Sequence, residues 1–305
     1  MVRAEPELAS RPARPRREPT GALPYLLLAP ATLALAAVSV YPLLSGIAAS
    51  TTRFRYGRIV GEAGLQNYRN VLHDQTFWQA IGTTARFVGI AVAIETLLGL
   101  GLALLVVREV RGMRFVRVSL ILPMTVAPVV VGVIWRLLYD SETGLVNPAF
   151  RAVGLEAPNV LSHQTSAFLG LVAVDVWEWT PLLFLIILAG LQSLPQDPLE
   201  AAAIDGAGPL RTFLDHTLPL LAPVLSVAVI VRLIDAIGTF DQIFVLTKGG
   251  PGTATQLISI YAYNTAFTFT QYGQAAAMLL ALLAFVLLLI CAAIAMLRRA
   301  ARSVS

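Results

Sequence analysis

Charge is what this chain has least of. Of its 305 residues only 13% are Asp, Glu, Lys or Arg, whereas 57% are hydrophobic. Soluble domains carry about 25% charged residues, so that class is excluded, and the length leaves room for several membrane spans. Lysine occurs once, at Lys248 in Thr-Lys-Gly-Gly. A phosphate-binding P-loop needs Gly-Lys-Ser/Thr, and this context does not supply one. The three histidines (His73, His163, His216) stand singly, which excludes a zinc-hydrolase pattern. Cys291 is the single cysteine and lies in an apolar run, so an intrachain disulfide is excluded. Basic residues are scattered over short loops and form no groove-sized patch, which argues against nucleic acid as a partner. The chain is therefore expected to have no catalytic site, metal or cofactor of its own.

What is present is a set of long apolar runs. Residues 1–20 are polar, with arginines among prolines, and read as a disordered tail. The apolar run that follows is too long for a signal peptide and lacks a convincing cleavage site. Pro19 to Thr52 holds no charge, nor does the stretch between Lys248 and Arg298. About 20 apolar residues cross a hydrocarbon core, which predicts six helical spans at roughly 22–50, 77–107, 115–139, 165–192, 217–246 and 271–297. The fold class is thus all-α and polytopic, a single 21–300 membrane domain. No internal repeat is visible.

Six spans put both termini on one side, and the basic residues choose it. The N-terminal tail has five arginines, the 108–117 loop four, the C-terminal tail three and the 194–216 loop one. The opposite loops hold Arg53, Arg55, Arg58, Arg69, Arg151 and Lys248. Thirteen against six makes the termini and the 194–216 loop cytoplasmic.

Within that loop, Asp197-Pro198 reads as a helix start, and Glu200 three residues on gives a capping-box-like pattern. Gly206 suits the residue just past the last turn. The result is a helix of about two turns, about 12 Å long. Leu199, Ala202 and Ala203 share one face, able to lie against something else. A second short helix is expected from Pro209. A helix this short is marginal alone and calls for a partner.

Glu200-Ala201-Ala202, three residues, Gly206, then Leu218-Pro219 resembles the EAA loop of binding-protein-dependent ABC importers. The longer string EAAAIDGAGP is similar to the carbohydrate-uptake branch, which includes the maltose-type sugar permeases. His216 departs from that pattern, which usually has an aliphatic residue two before the Leu-Pro. The resemblance implies a type I permease fold in a bacterial or archaeal inner or plasma membrane. It also implies a second homologous permease, an extracytoplasmic solute-binding protein, and two ATPase subunits that bind ATP and Mg. The ATPase would dock at Leu199, Glu200, Ala201, Ala202, Ala203, Asp205 and Gly206.

Several ionisable residues lie inside predicted spans: Arg86, Glu95, Asp175, Glu178, Arg232 and Asp235. At that depth each needs a partner or a wet cavity. Asp175, Glu178 and Trp179 share a helical face, as do Arg232, Asp235 and Thr239. Two readings stay open for Arg232: an ion pair with Asp175, Glu178 or Asp235 that holds spans together, and direct contact with a solute. For Arg86 and Glu95, structural pairing with neighbouring spans is expected. Trp177, Pro181, Phe240 and Thr247 to Pro251 match marks of the sugar-permease branch, without gaps from Asp175 to Pro251. Carried over residue by residue, that resemblance puts sugar contacts at Asp175, Glu178, Trp179, Arg232 and Thr239; Ala236, at a further such level, has no polar reach. Carboxylates, a guanidinium and an aromatic face are the groups a sugar site uses. The expected activity is ATP-driven import of a mono-, di- or oligosaccharide. The alternatives are a polyol or a glycerol phosphate ester as solute, or an ion-coupled sugar carrier using the buried acids. Lys248 to Gly252 is expected to form an outer turn.

Overall fold

The computed structural model describes residues 23–107, 118–156 and 158–302. The polar tail and the arginines of the 108–117 loop lie outside the described residues. Residues up to Ala48 form one unit and those from Ala49 onward another. The first unit is most of α1 (Leu23–Ser50), an apolar helix long enough to cross a membrane.

The second unit opens with a small antiparallel hairpin, β1 (Thr52–Arg55) and β2 (Arg58–Glu62). Helices follow: α2 (Gln66–His73), α3 (Gln75–Val106), α4 (Pro128–Leu138), α5 (Val146–Ala152) and α6 (Gln164–Gln192). Next come α7 (Asp197–Ile204), α8 (Pro209–Thr212), α9 (Leu218–Gly238), α10 (Asp241–Leu246), α11 (Ile258–Tyr263) and α12 (Tyr272–Arg302). Five of these helical stretches are long and apolar enough to cross a membrane: α1, α3, α6, α8 through α9, and α12.

The expected third span differs. Pro123 starts a single 3-10 turn over Pro123–Thr125, and α4 begins only at Pro128. Ala127, before that proline, is extended (φ −63°, ψ 136°), the conformation a following proline imposes. The apolar sequence is there, but two prolines five residues apart divide it. The fifth span is also displaced from 217–246. It starts at Pro209, passes through a π turn at Phe213–Thr217 that contains His216, and stops at Gly238. Thr239 and Phe240 are non-helical before α10 resumes. Ser259 Oγ donates to the freed Thr239 carbonyl (2.7 Å), which satisfies one acceptor at the break.

The core lies where α3, α6 and α9 cross, with Phe87, Leu171, Val174 and Ala236 buried among them. A second cluster, with Ala103, Leu183, Phe184 and Leu221, continues it toward the α7 side. The halves of the broken elements meet as well. α4 packs on α10 so closely that a Cβ on Gly132 would stand 3.0 Å from the Gln242 carbonyl oxygen. Arg136 Nη1 on α4 donates to the Val245 carbonyl (2.9 Å). Gln242 Nε2 on α10 also donates to Asp175 Oδ1 on α6 (2.6 Å), which puts α10 and the break before it beside α6.

Candidate solute cleft and cytoplasmic-loop helix

Arg232 is the centre of the buried polar structure. Its side chain is fully buried, and three carboxylates from three helices surround it. Nε donates to Glu95 Oε2 (2.8 Å) and Nη2 to Glu95 Oε1 (3.1 Å), a two-point pair between α9 and α3. Nη2 also donates to Asp175 Oδ2 on α6, and Nη1 to Asp235 Oδ2 (2.8 Å) one turn along α9. The planar guanidinium fork suits such multiple carboxylate contacts. Trp179 covers the group, its ring centroid 5.2 Å from Arg232 Cζ, at cation–π distance. Asp175 takes a further bond from Gln242 Nε2 (2.6 Å) on α10.

The ion-pair expectation for Arg232 is thus met by Asp175 and Asp235, and Glu95 finds its neighbouring-span partner in Arg232. Glu178 is buried beside this group, with Oε2 lacking a hydrogen-bond partner among the described residues. Arg86 takes no carboxylate among the described residues; it bonds Thr83 and the Gly82 carbonyl and lies over Phe168.

On the open side of this cluster is a cleft of about 400 Å³. Trp179, Asp235, Thr239, Phe240, Asp241 and Gln242 are among the residues that line it. The helix break before α10 makes room for it: an unbroken fifth span would carry Thr239 and Phe240 onward as helix. Of the residues named from the sequence as sugar contacts, Trp179 and Thr239 face the cleft. Asp175, Glu178 and Arg232 stand behind its wall, buried. Asp241 and Gln242 went unnamed; the helix stop at Gly238-Thr239 followed by Asp241-Gln242 is the signal that points to them.

At the other end, α7 covers the expected two turns, with Asp197 and Glu200 in its first turn, where the helix dipole favours carboxylates. Its C-terminus closes as a Schellman turn: Ala207 N–H donates to the Ala202 carbonyl (3.0 Å), with Gly206 at φ +78°. Ala202 is buried within the chain, where α7 lies against α8 and the π turn. Glu200, Ala201, Ile204 and Asp205 are exposed, and Leu199 is half-buried. Ile204 is 87% and nearby Leu210 71% exposed, an apolar surface that the sequence pattern did not single out.

Residues 95–304 match the family described as the binding-protein-dependent transport system inner membrane component. The chain belongs to this family. The permease is 42% identical, over 74% of its length and 76% of the relative's, to the trehalose/maltose transport system permease protein of Thermococcus litoralis. It is 33% identical to the trehalose transport system permease protein of Mycobacterium tuberculosis, over 84% of this chain and 82% of that one. It is also 34% identical to the sn-glycerol-3-phosphate transport system permease protein of Escherichia coli, over 88% and 91%. Among solved structures, a bacterial ABC transporter involved in import of the acidic polysaccharide alginate shares the fold. The TM-score is 0.78 at 22% identity, covering 91% of this permease and 95% of that chain.

Proposed function

We propose that this permease passes a sugar across the membrane as one half of the channel of an ATP-driven importer. The observation that carries the reading is the cleft at the α9–α10 break. It offers an indole face, a hydroxyl and amide and carboxylate groups on one wall, the mixture that binds the apolar and hydroxyl sides of a pyranose. Its volume of about 400 Å³ lies within the range of small-molecule sites, about 300–1,000 Å³. Sugar contact is assigned to Trp179 and Thr239 directly. Asp175, Glu178 and Arg232 act from behind the wall, buried, and hold it in place rather than touching the solute. Relatives named for trehalose and maltose support a neutral disaccharide as solute.

The arginine distribution supports a cytoplasmic position for the termini and α7. There α7 serves as the docking rod for an ATPase subunit, through Leu199, Glu200, Ala201, Ala203, Asp205 and Gly206; Ala202, expected on that surface, is instead buried against the chain's own α8 and π turn. Exposed Ile204 and Leu210 add apolar area to that surface. Two ATPase subunits would bind ATP and Mg and close on hydrolysis cycles. A second, homologous permease would complete the channel, and a solute-binding protein would deliver the sugar. The chain itself performs no bond chemistry.

The test is trehalose uptake by proteoliposomes containing the whole importer and its binding protein. Uptake is expected to require internal ATP and to survive ionophores that collapse proton and sodium gradients. Uptake abolished by ionophores with ATP present would favour the ion-coupled carrier and overturn the proposal.

A further inference from the structure

The cleft has a charge of one sign. Asp235 and Asp241 line it, and among the described residues none that lines it is Lys, Arg or His. Arg232, behind the cleft wall, is not available to a solute. Its side chain is fully buried, its Nε, Nη1 and Nη2 all donate to carboxylates, and Trp179 lies across it. Asp235 gives one oxygen to Arg232, yet its side chain keeps 47% exposure, so carboxylate remains open to the cleft. Arg136, on the helix whose first residue borders the cleft, is tied to the Val245 carbonyl.

A second observation points to a ligand. Gln242 is 1% exposed and lines the cleft, with Nε2 held by Asp175 and Oε1 without a partner among the described residues. A buried amide oxygen without a donor is costly. A solute hydroxyl can supply that donor, whereas a fully ionised phosphate, sulfonate or carboxylate group placed there would bring only acceptor oxygens. The acceptors of this wall, Asp235, Asp241 and Gln242 Oε1, all ask for donors from the solute.

We propose that the cleft selects by charge, taking hydroxyl-rich neutral sugars and turning away phosphorylated, sulfonated or uronate ones. The inference rests on the sugar reading above and deepens it. Family membership leaves the matter open, since relatives include permeases named for neutral disaccharides and for sn-glycerol 3-phosphate. It sets aside the glycerol phosphate ester as solute for this chain.

The experiment is equilibrium binding of labelled trehalose to the purified, assembled importer without its solute-binding protein, so that only the membrane cleft selects. Unlabelled trehalose and trehalose 6-phosphate are the competitors. In the wild type the phosphate is expected to compete at least ~10-fold more weakly, the size of effect that two nearby carboxylates produce on an anion in a partly wet site. In Asp241→Asn, which touches no ion pair of Arg232, the ratio of the two inhibition constants should shrink at least ~3-fold, and in Asp235→Asn likewise. Equal competition in the wild type, or an unchanged ratio in both variants, overturns the charge selection while leaving the sugar reading intact. Failure of the wild type to bind trehalose, maltose or glucose, with sn-glycerol 3-phosphate bound instead, overturns both.

Discussion

Arg232 on α9 and Glu95 on α3 face each other as a two-point ion pair, Nε–Oε2 2.8 Å and Nη2–Oε1 3.1 Å, both side chains fully buried. Asp175 on α6 shares the same guanidinium, so one cation fastens three membrane helices at one level. Removing a single member of such a group leaves an uncompensated buried charge.

Arg232→Ala is accordingly expected to destabilise the assembled permease by about 3–5 kcal/mol, because Glu95 and Asp175 lose their shared partner. The measurement is thermal unfolding of the detergent-solubilised complex. An Arg232→Ala complex that melts with the wild type would show that the group does not fasten the helices.

Gly132 is expected to tolerate a branched side chain poorly. A Cβ there would lie 3.0 Å from the Gln242 carbonyl oxygen and 3.1 Å from Gln242 Cα, backbone atoms that cannot swing aside. Gly132→Val should cost about 1–3 kcal/mol and shift the cleft wall with it. Gly101, whose added Cβ meets nothing within 4 Å, is the control, and Gly101→Ala should leave the melting temperature at or above the wild-type value. Equal effects from the two would remove the close α4–α10 approach as the cause.

Asp74 joins two helices at the hairpin end of the second unit. Its Oδ1 accepts from the Thr76 and Phe77 N–H groups (2.8 and 3.4 Å) at the start of α3, and its Oδ2 accepts from the Tyr261 hydroxyl. Asp74→Ala removes a helix cap and leaves that hydroxyl without its carboxylate, for an expected loss of about 1–2 kcal/mol. Asp74→Asn should recover part of it. Thermal unfolding again reads the outcome, and a neutral Asp74→Ala would refute the cap's importance.

Ile204→Asp and Gly206→Pro separate docking from folding. Gly206 sits at φ +78°, which proline cannot adopt, so Gly206→Pro should disrupt the end of α7 and release the ATPase subunits. Ile204 is exposed and outside the chain's own packing, so Ile204→Asp should weaken ATPase co-purification without lowering the permease's melting temperature. Full co-purification and wild-type uptake with both variants would remove α7 from the docking surface.

Much of this was legible in the chain. Long apolar runs with at most two charges each define helices α1, α3, α6 and α9 and most of α12, because a segment in lipid must satisfy its own backbone and bury no charge unpaired. Asp197, Pro198 and Gly206 mark α7 through local capping chemistry that needs no tertiary partner. Pairing among the buried ionisable residues was also foreseeable, since charge inside a span demands a counter-charge. Distance along the chain hides which residues pair. Glu95 and Arg232 are 137 residues apart, and only the crossing of α3 with α9 makes them neighbours. Likewise, a hydropathy run does not reveal that Pro123 and Pro128 split the third span. Nor does it show that α9 stops at Gly238, because apolar content is the same in broken and continuous helix. The cleft, and the division between residues on its wall and residues buried behind it, came from packing α4 and α10 beside α6. Periodicity assigns a side chain to a face of its own helix; what that face meets is decided by how the helices cross.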